Sequence, residues 1–130
     1  MILFDTDVCV EILRGNRKVA KRRLEYPGEI SVSFITVAEL FYGAENSGNP
    51  AHNKVAVEKY LITLGTVHTD ILILKRFGEL KSDLYKKNLL IPDADIFVAA
   101  TAMEKCDALV TGNVKHFERI NGLKIENWIR

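Results

Sequence analysis

Hydrophobic positions along the chain fall into two kinds of block, and the alternation between them sets the expected architecture. Ile2-Leu3-Phe4 is a short apolar run of buried-strand type, after which Val8 and Ile12 take up helical spacing until Gly15-Asn16 interrupts it. Tyr26-Pro27-Gly28 turns the chain into residues 29–33, which alternate as a strand does, and from Phe34 the period is helical again through Val37, Ala38 and Phe41. A polar cluster, Asn46-Ser47-Gly48-Asn49-Pro50, precedes a helix marked by Val57, Tyr60, Leu61 and Leu64, then a short strand at 66–68. Ile73, Phe77, Leu80 and Leu84 line one face of a longer helix opened by Thr69 or Asp70, and Ile96, Ala99, Ala100 and Met103 line the next. Ala108-Leu109-Val110 reads as a buried strand, residues 114–118 as one helical turn, and 123–125 as an edge strand ahead of Trp128. Strand and helix alternating four or five times predict an α/β fold with a largely parallel sheet covered on both faces.

Composition narrows the classes. With 130 residues, 48% of them hydrophobic, the chain is expected to form a single domain over residues 1–130 with a real core. Eighteen Lys and Arg against 17 Asp and Glu leave a net charge of +1, so any nucleic-acid contact must come from a local patch. The densest patch is Arg14, Arg17, Lys18, Lys21, Arg22 and Arg23, which is either a solvated helix face or a track for RNA phosphates. No apolar run reaches bilayer length and no signal-peptide pattern opens the chain, so a cytoplasmic protein without membrane contact is expected. Cys9 and Cys106 form no redox or metal motif and read as small apolar packing groups; His52, His68 and His116 are dispersed, and His116 reads as structural rather than as an acid catalyst.

The acids are the unusual feature. Asp93 and Asp95 head a stretch that is otherwise apolar, two residues apart and thus pointing to different sides of a helix. Asp93 after Pro92 suits an N-cap, whereas Asp95 lies beside the apolar flank and needs a partner to offset its desolvation. Asp5 follows the first strand; Asp5, Thr6 or Asp7 could cap the next helix, and capping is the favoured role for Asp7. Glu39 lies inside an apolar helix, where Thr36 to Glu39 has capping-box spacing, while Gly43 one turn on leaves room for a ligand. Asn113 follows a later strand end. Carboxylates meeting at the carboxyl edge of a sheet raise one another's pKa unless a cation compensates, and oxygen-only donors suit Mg²⁺ or Mn²⁺.

Four segments together resemble a PIN-domain ribonuclease, more closely a VapC-type toxin: residues 3–7 (Leu-Phe-Asp-Thr-Asp), 33–44 around Glu39, 91–102 around Asp95, and 109–117 around Asn113. The resemblance implies a three-layer α/β/α fold, RNA cleavage dependent on Mg²⁺ or Mn²⁺, and Asp5, Glu39 and Asp95 as catalytic and metal-binding acids, with Asp95 fitting the pattern better than Asp93. Family members often carry Asp where this chain has Asn113, so a second metal should bind more weakly and one metal is as apt as two. Thr6, Ser33 and Thr111 stand as residues that orient carboxylates, and Arg14, Arg17, Lys18, Lys21 and Arg22 as RNA contacts. Homodimers and a cognate VapB-like antitoxin, often placing a basic side chain in the acidic site, are further implications.

Two other readings compete. The strand followed by Asp5-Thr6-Asp7 also looks like the opening of a phosphatase that uses Asp5 as nucleophile, although that gives Glu39 no role and finds no matching downstream Lys. A PIN-like module that binds RNA or a partner without cutting it is the other, against which stand the three retained acids.

Overall fold

Side chains alternate across every central strand, and the alternation divides the core in two. From β1 (Ile2–Phe4), Ile2 and Phe4 face one layer and Leu3 the other; from β4 (Ala108–Val110), Ala108 and Val110 share the first side and Leu109 the second. Such strands, buried on both faces, have the continuously apolar sequence of parallel sheets. The computed structural model describes residues 1–130.

The sheet has five strands in the order β3-β2-β1-β4-β5, with β2 (Ile30–Ser33), β3 (Gly65–Val67) and β5 (Ile125–Glu126). All four pairings are parallel, so the sheet is wholly rather than mostly parallel. On one face lie α1 (Thr6–Leu13), α2 (Arg17–Glu25), α3 (Phe34–Glu45) and α4 (Pro50–Ile62), which bury Val8, Val19, Leu40 and Val57 with Phe4 and Trp128. On the other, α5 (Ile71–Lys86), α6 (Asp93–Lys105) and α7 (Val114–Phe117) bury Leu84, Ile96, Ala99 and Phe117 against Leu3 and Leu109. This is the expected three-layer α/β/α arrangement. The last strand begins two residues later than its hydrophobic pattern suggests, because Gly122 turns the chain at φ +85° and Leu123 packs into the second core.

Local chemistry fixes the helix starts. Asn16 caps α2 by accepting from the Lys18 and Val19 amides, Asn49 caps α4, and Asp70 caps α5 through the Ile73 amide, as the sequence suggests for Asp70. Asp93 is not a cap: Pro92 takes that position without a side-chain bond, and Asp93 is the first helical residue, exposed and 3.0 Å from Lys81 of α5. Both cysteines are free; Cys9 is buried and Cys106 half-buried. No helix is long and apolar enough to cross a membrane.

The chain runs outward from β1 through β2 to β3, then crosses to the far side of β1 for β4. The reversal leaves a crevice beyond the carboxyl ends of β1 and β4, the place where open parallel sheets bind ligands. Phe4 stands at this junction and meets Trp128 edge to face at 5.3 Å between centroids. Phe4→Ala is therefore expected to cost about 3–5 kcal/mol in urea unfolding, while Leu24→Ala, at a side chain 87% exposed, should stay within about 0.5 kcal/mol of the parent.

Candidate active site

Asp5 is the residue after β1, and Thr111 the residue after β4; parallel pairing brings the two strand ends side by side, with the Asp5 amide bonded to the Val110 carbonyl at 2.9 Å. Asp5 is buried, and both its oxygens are held: Oδ1 accepts from the Thr6 amide at 2.8 Å and Oδ2 from the Thr111 hydroxyl at 2.8 Å. The Thr6 bond makes Asp5 the N-cap of α1, a role the sequence had offered to Asp7 as well.

Asp7 is instead drawn across to the β4 side, where Oδ2 accepts from the Gly112 amide at 2.8 Å. Only glycine leaves room for that approach, since a Cβ at 112 would lie 2.9 Å from Asp7 Oδ2 and 2.8 Å from Ile129 Cδ1. The other oxygen, Oδ1, is buried without any partner. Such an acceptor carries a desolvation cost that a cation or a proton would relieve.

Glu39 does not close the start of its own helix. Ser33 caps α3 through the Thr36 amide at 3.2 Å, and Glu39, a full turn beyond, reaches across to α1, where its Oε1 accepts from the Thr6 hydroxyl at 2.6 Å. Thr6 Oγ1 also lies 3.1 Å from Thr36 Oγ1, which lies 3.5 Å from Ser33 Oγ. Each hydroxyl has one proton to give, so satisfying the carboxylate orders the chain: Ser33 donates to Thr36, Thr36 to Thr6, and Thr6 to Glu39. Ser33 and Thr36 are both buried, which makes this a fixed support for an otherwise exposed acid.

Asp95 enters from the first turn of α6. His116 Nδ1 lies 2.7 Å from its Oδ2 and 2.9 Å from Asn113 Nδ2. One ring nitrogen cannot donate to the first and accept from the second; the anion takes the proton, and the Asn113 amide gains from the contact only with its ends exchanged. His116 thus orients Asp95 and does not line the cleft. Thr111 links the two halves, donating to Asp5 and accepting from the Asn113 amide N–H at 3.0 Å.

The resulting cleft, of about 400 Å³, is lined by Asp5, Thr6, Asp7, Val10, Glu11, Arg14, Glu39, Asp95 and Asn113. Five carboxylates face one guanidinium. Burial pushes the Asp5 carboxyl up to about 7, with the Asp7 and Asp95 charges adding to it and the Thr111 and Thr6 bonds opposing. Asp7 is raised too, first by burial and then by the charges of Asp95 and Glu11, against the Gly112 and Val8 amides. All donors are oxygens, which suits a hard divalent cation. No three His, Cys, Asp or Glu side chains stand close enough together to enclose an ion by themselves. That is compatible with Mg²⁺, which takes one or two carboxylates directly and keeps several waters. The donor chemistry, the crowding and the orphaned Asp7 oxygen all fit such an ion.

Not every expected residue is here. Asp93 is turned away toward Lys81. Of the basic run only Arg14 lines the cleft; Arg17, Lys18 and Lys21 are exposed on α2, and Arg22 stacks over Trp128 at 5.0 Å with Glu126 4.0 Å away. Asp7, Glu11 and Thr36 belong to the site without having been expected. For Asp7 the signal was its spacing from Asp5, and it was read locally because the Gly112 contact spans 105 residues.

A PIN domain family model matches residues 2–123. The chain is 35% identical over 128 residues to "Ribonuclease VapC2" of Haemophilus influenzae, covering 98% of this chain and 97% of that protein. It is 26% identical over 127 residues to "tRNA(fMet)-specific endonuclease VapC" of Shigella flexneri, covering 97% and 96%. Among solved structures, a DNA-bound VapBC from Salmonella typhimurium superposes with a TM-score of 0.92 at 29% identity, covering 98% of this chain and 97% of that one.

The raised Asp5 pKa has a consequence for folding. A carboxyl that ionises near 7 in the fold and near 3.8 when unfolded binds more protons in the native state between those values, so its contribution to stability falls as pH rises through that window. Urea unfolding in chelator should show stability declining from pH 5 to 8. Asp5→Asn should flatten that decline and exceed the parent at pH 8 by roughly 2–4 kcal/mol.

Proposed function

The chain belongs to the PIN-domain family, in its VapC branch, and on that premise we propose that it is a toxin of a type II toxin–antitoxin pair, an endoribonuclease that hydrolyses RNA phosphodiester bonds with Mg²⁺ or Mn²⁺, which Asp5 and Asp95 would hold directly and Glu39 through the waters of the ion. The observation that carries this reading is the gathering of five carboxylates around one cleft at the β1/β4 crevice, with Asp5 buried among them. An ion bound there supplies neutralising charge and lowers the pKa of a water.

The side chains of the chain itself then divide the remaining tasks. Asp5 is rigid, fixed at both oxygens, and sets the floor of the site. Asp95 is oriented by the His116 ring from the opposite wall. Glu39 stands at the exposed mouth with one oxygen anchored by Thr6, so its other oxygen is available to take the proton from an attacking water. Arg14, the single cation at the rim, suits a non-bridging phosphate oxygen of the strand being cut. Asn113 brings an uncharged amide to the same wall. The nucleophilic-aspartate reading gives Glu39 no role, whereas Glu39 lines the same cleft as Asp5.

The antitoxin partner is supported by the VapBC complex that this fold matches, and by an adjoining groove of about 360 Å³. That groove shares Val10, Arg14 and Glu39 with the acid cleft and continues over Leu40, Ala44 and Val57. A VapB-like antitoxin with an apolar segment and a basic side chain is the partner such a surface suits, and the reading carries a homodimer and a cytoplasmic place of action with it. Transfer RNA is the first substrate class to test, because the Shigella flexneri relative is named for it.

Purified antitoxin-free protein incubated with total cellular RNA should produce discrete new ends in Mg²⁺ or Mn²⁺ and none in EDTA. Asp95→Asn and Glu39→Gln should each lower the rate by at least about a hundredfold while remaining folded. Tight RNA or antitoxin binding with no cuts under any metal would replace the enzyme by a binding module.

A further inference from the structure

A second cleft opens on the far side of Asn113. It has a volume of about 380 Å³ and is lined by Gly112, Asn113, Val114, Lys115, Asn127 and Arg130. Its side chains are the reverse of its neighbour's: two cationic and none acidic, where the acid cleft has five carboxylates and one cation. Asn113 is the wall common to both.

Neither cation is committed elsewhere. Lys115 and Arg130 are exposed, and neither side chain has an ion pair or hydrogen bond within the chain. This separates them from Arg22, held over Trp128, from Arg23, bonded to Thr63, and from Lys81 and Lys105, paired with Asp93 and Asp70. Asn127 shapes the pocket: its Oδ1 accepts from the Ile129 and Arg130 amides at 3.0 and 3.3 Å, folding the chain back beside Gly112 and leaving the side-chain NH₂ without a partner. Two unpaired cationic side chains and an amide donor around a pocket without acidic side chains form an anion site, and a phosphate diester is the anion that fits both a Lys and an Arg.

We propose that this cleft binds a backbone phosphate of the RNA strand, next along the chain from the phosphate at the acid cleft, with Lys115 and Arg130 as its ligands. The proposal rests on the RNA-cleaving reading above and adds a direction to it. The strand crosses from Arg14 over the acids and past Asn113 into the basic pocket, so that positive ends flank the negative centre. Attraction at the flanks offsets the repulsion between RNA and five carboxylates, and the site gains register without reading any base.

The test is the salt dependence of RNA binding, measured by anisotropy of a fluorescein-labelled 12-nucleotide single-stranded RNA in EDTA, in an Asp95→Asn background that cannot cut it. Lys115→Gln/Arg130→Gln should weaken binding roughly tenfold at low salt and reduce the slope of log affinity against log salt by about 1.4, two single-strand contacts at ~0.7 each. Lys59→Gln/Lys86→Gln, with the same change in net charge on exposed positions remote from the cleft, should change neither. Lys115→Arg/Arg130→Lys should restore the parent slope. A parent that binds with an undiminished slope in the Gln double variant overturns the subsite and leaves the nuclease reading standing. Failure of every protein to bind RNA, both in EDTA and with Mn²⁺ in its place, overturns both. Unchanged RNA binding with lost affinity for the antitoxin would assign the pocket to an acidic protein partner, and overturn the proposal as well.

Discussion

The Asp5 carboxylate, buried at the end of β1 and gripped by the Thr111 hydroxyl from the end of β4, is the constraint on which the rest of the molecule is arranged. A carboxylate at that depth is expensive to ionise, and Asp7 and Asp95 raise the cost by adding like charge. The fold accepts this because β1 and β4 are the strands where the order of strand addition reverses, fixed by the two cores that sandwich Leu3, Phe4, Leu109 and Val110. Strong apolar packing below the site thus sustains electrostatic strain above it. An ion entering there would release repulsion already present, which is the source of cation affinity in the proposed function.

Around that centre each acid is supported differently, and the differences suit different tasks. Asp5 has a backbone and a hydroxyl donor and cannot swing; Asp95 leans on an imidazole; Glu39 stands at the end of a relay of three hydroxyls that begins in the buried Ser33. Rigidity therefore decreases from the floor of the cleft to its mouth. The charges are sorted as well, five carboxylates with Arg14 in one cleft and Lys115 with Arg130 in the next, with Asn113 shared between them.

Much of this was legible in the amino-acid sequence because it is local. β1 and β4 lie where their apolar runs are, and the helical stripes of α5 and α6 become buried faces, because periodicity reports directly which side of an element meets the core. Asp5, Glu39 and Asp95 stood out as acids in apolar settings, and they do come to one cleft. What stayed hidden depends on contacts between distant segments. Asp7 was assigned to capping, yet it bonds Gly112; Asp93 was offered as a cap, yet Pro92 holds that position and Asp93 turns to Lys81. The basic run from Arg14 to Arg23 read equally as a solvated helix face or an RNA track, and only Arg14 reaches the cleft while Arg22 is spent on Trp128. Lys115 and Arg130, fifteen residues apart and unremarkable in sequence, become neighbours only because Asn127 folds the chain back beside Gly112.

The central claim is that crowded carboxylates at the β1/β4 crevice form a cation site whose affinity comes from relieving their own repulsion. Calorimetric titration of metal-free protein with Mn²⁺ at pH 6.5, in two buffers of different ionisation enthalpy, tests it most directly. The account predicts saturable binding accompanied by release of protons from the cleft, both lost in Asp5→Asn. Absence of saturable binding, or binding that survives Asp5→Asn with no proton released in either protein, would contradict it.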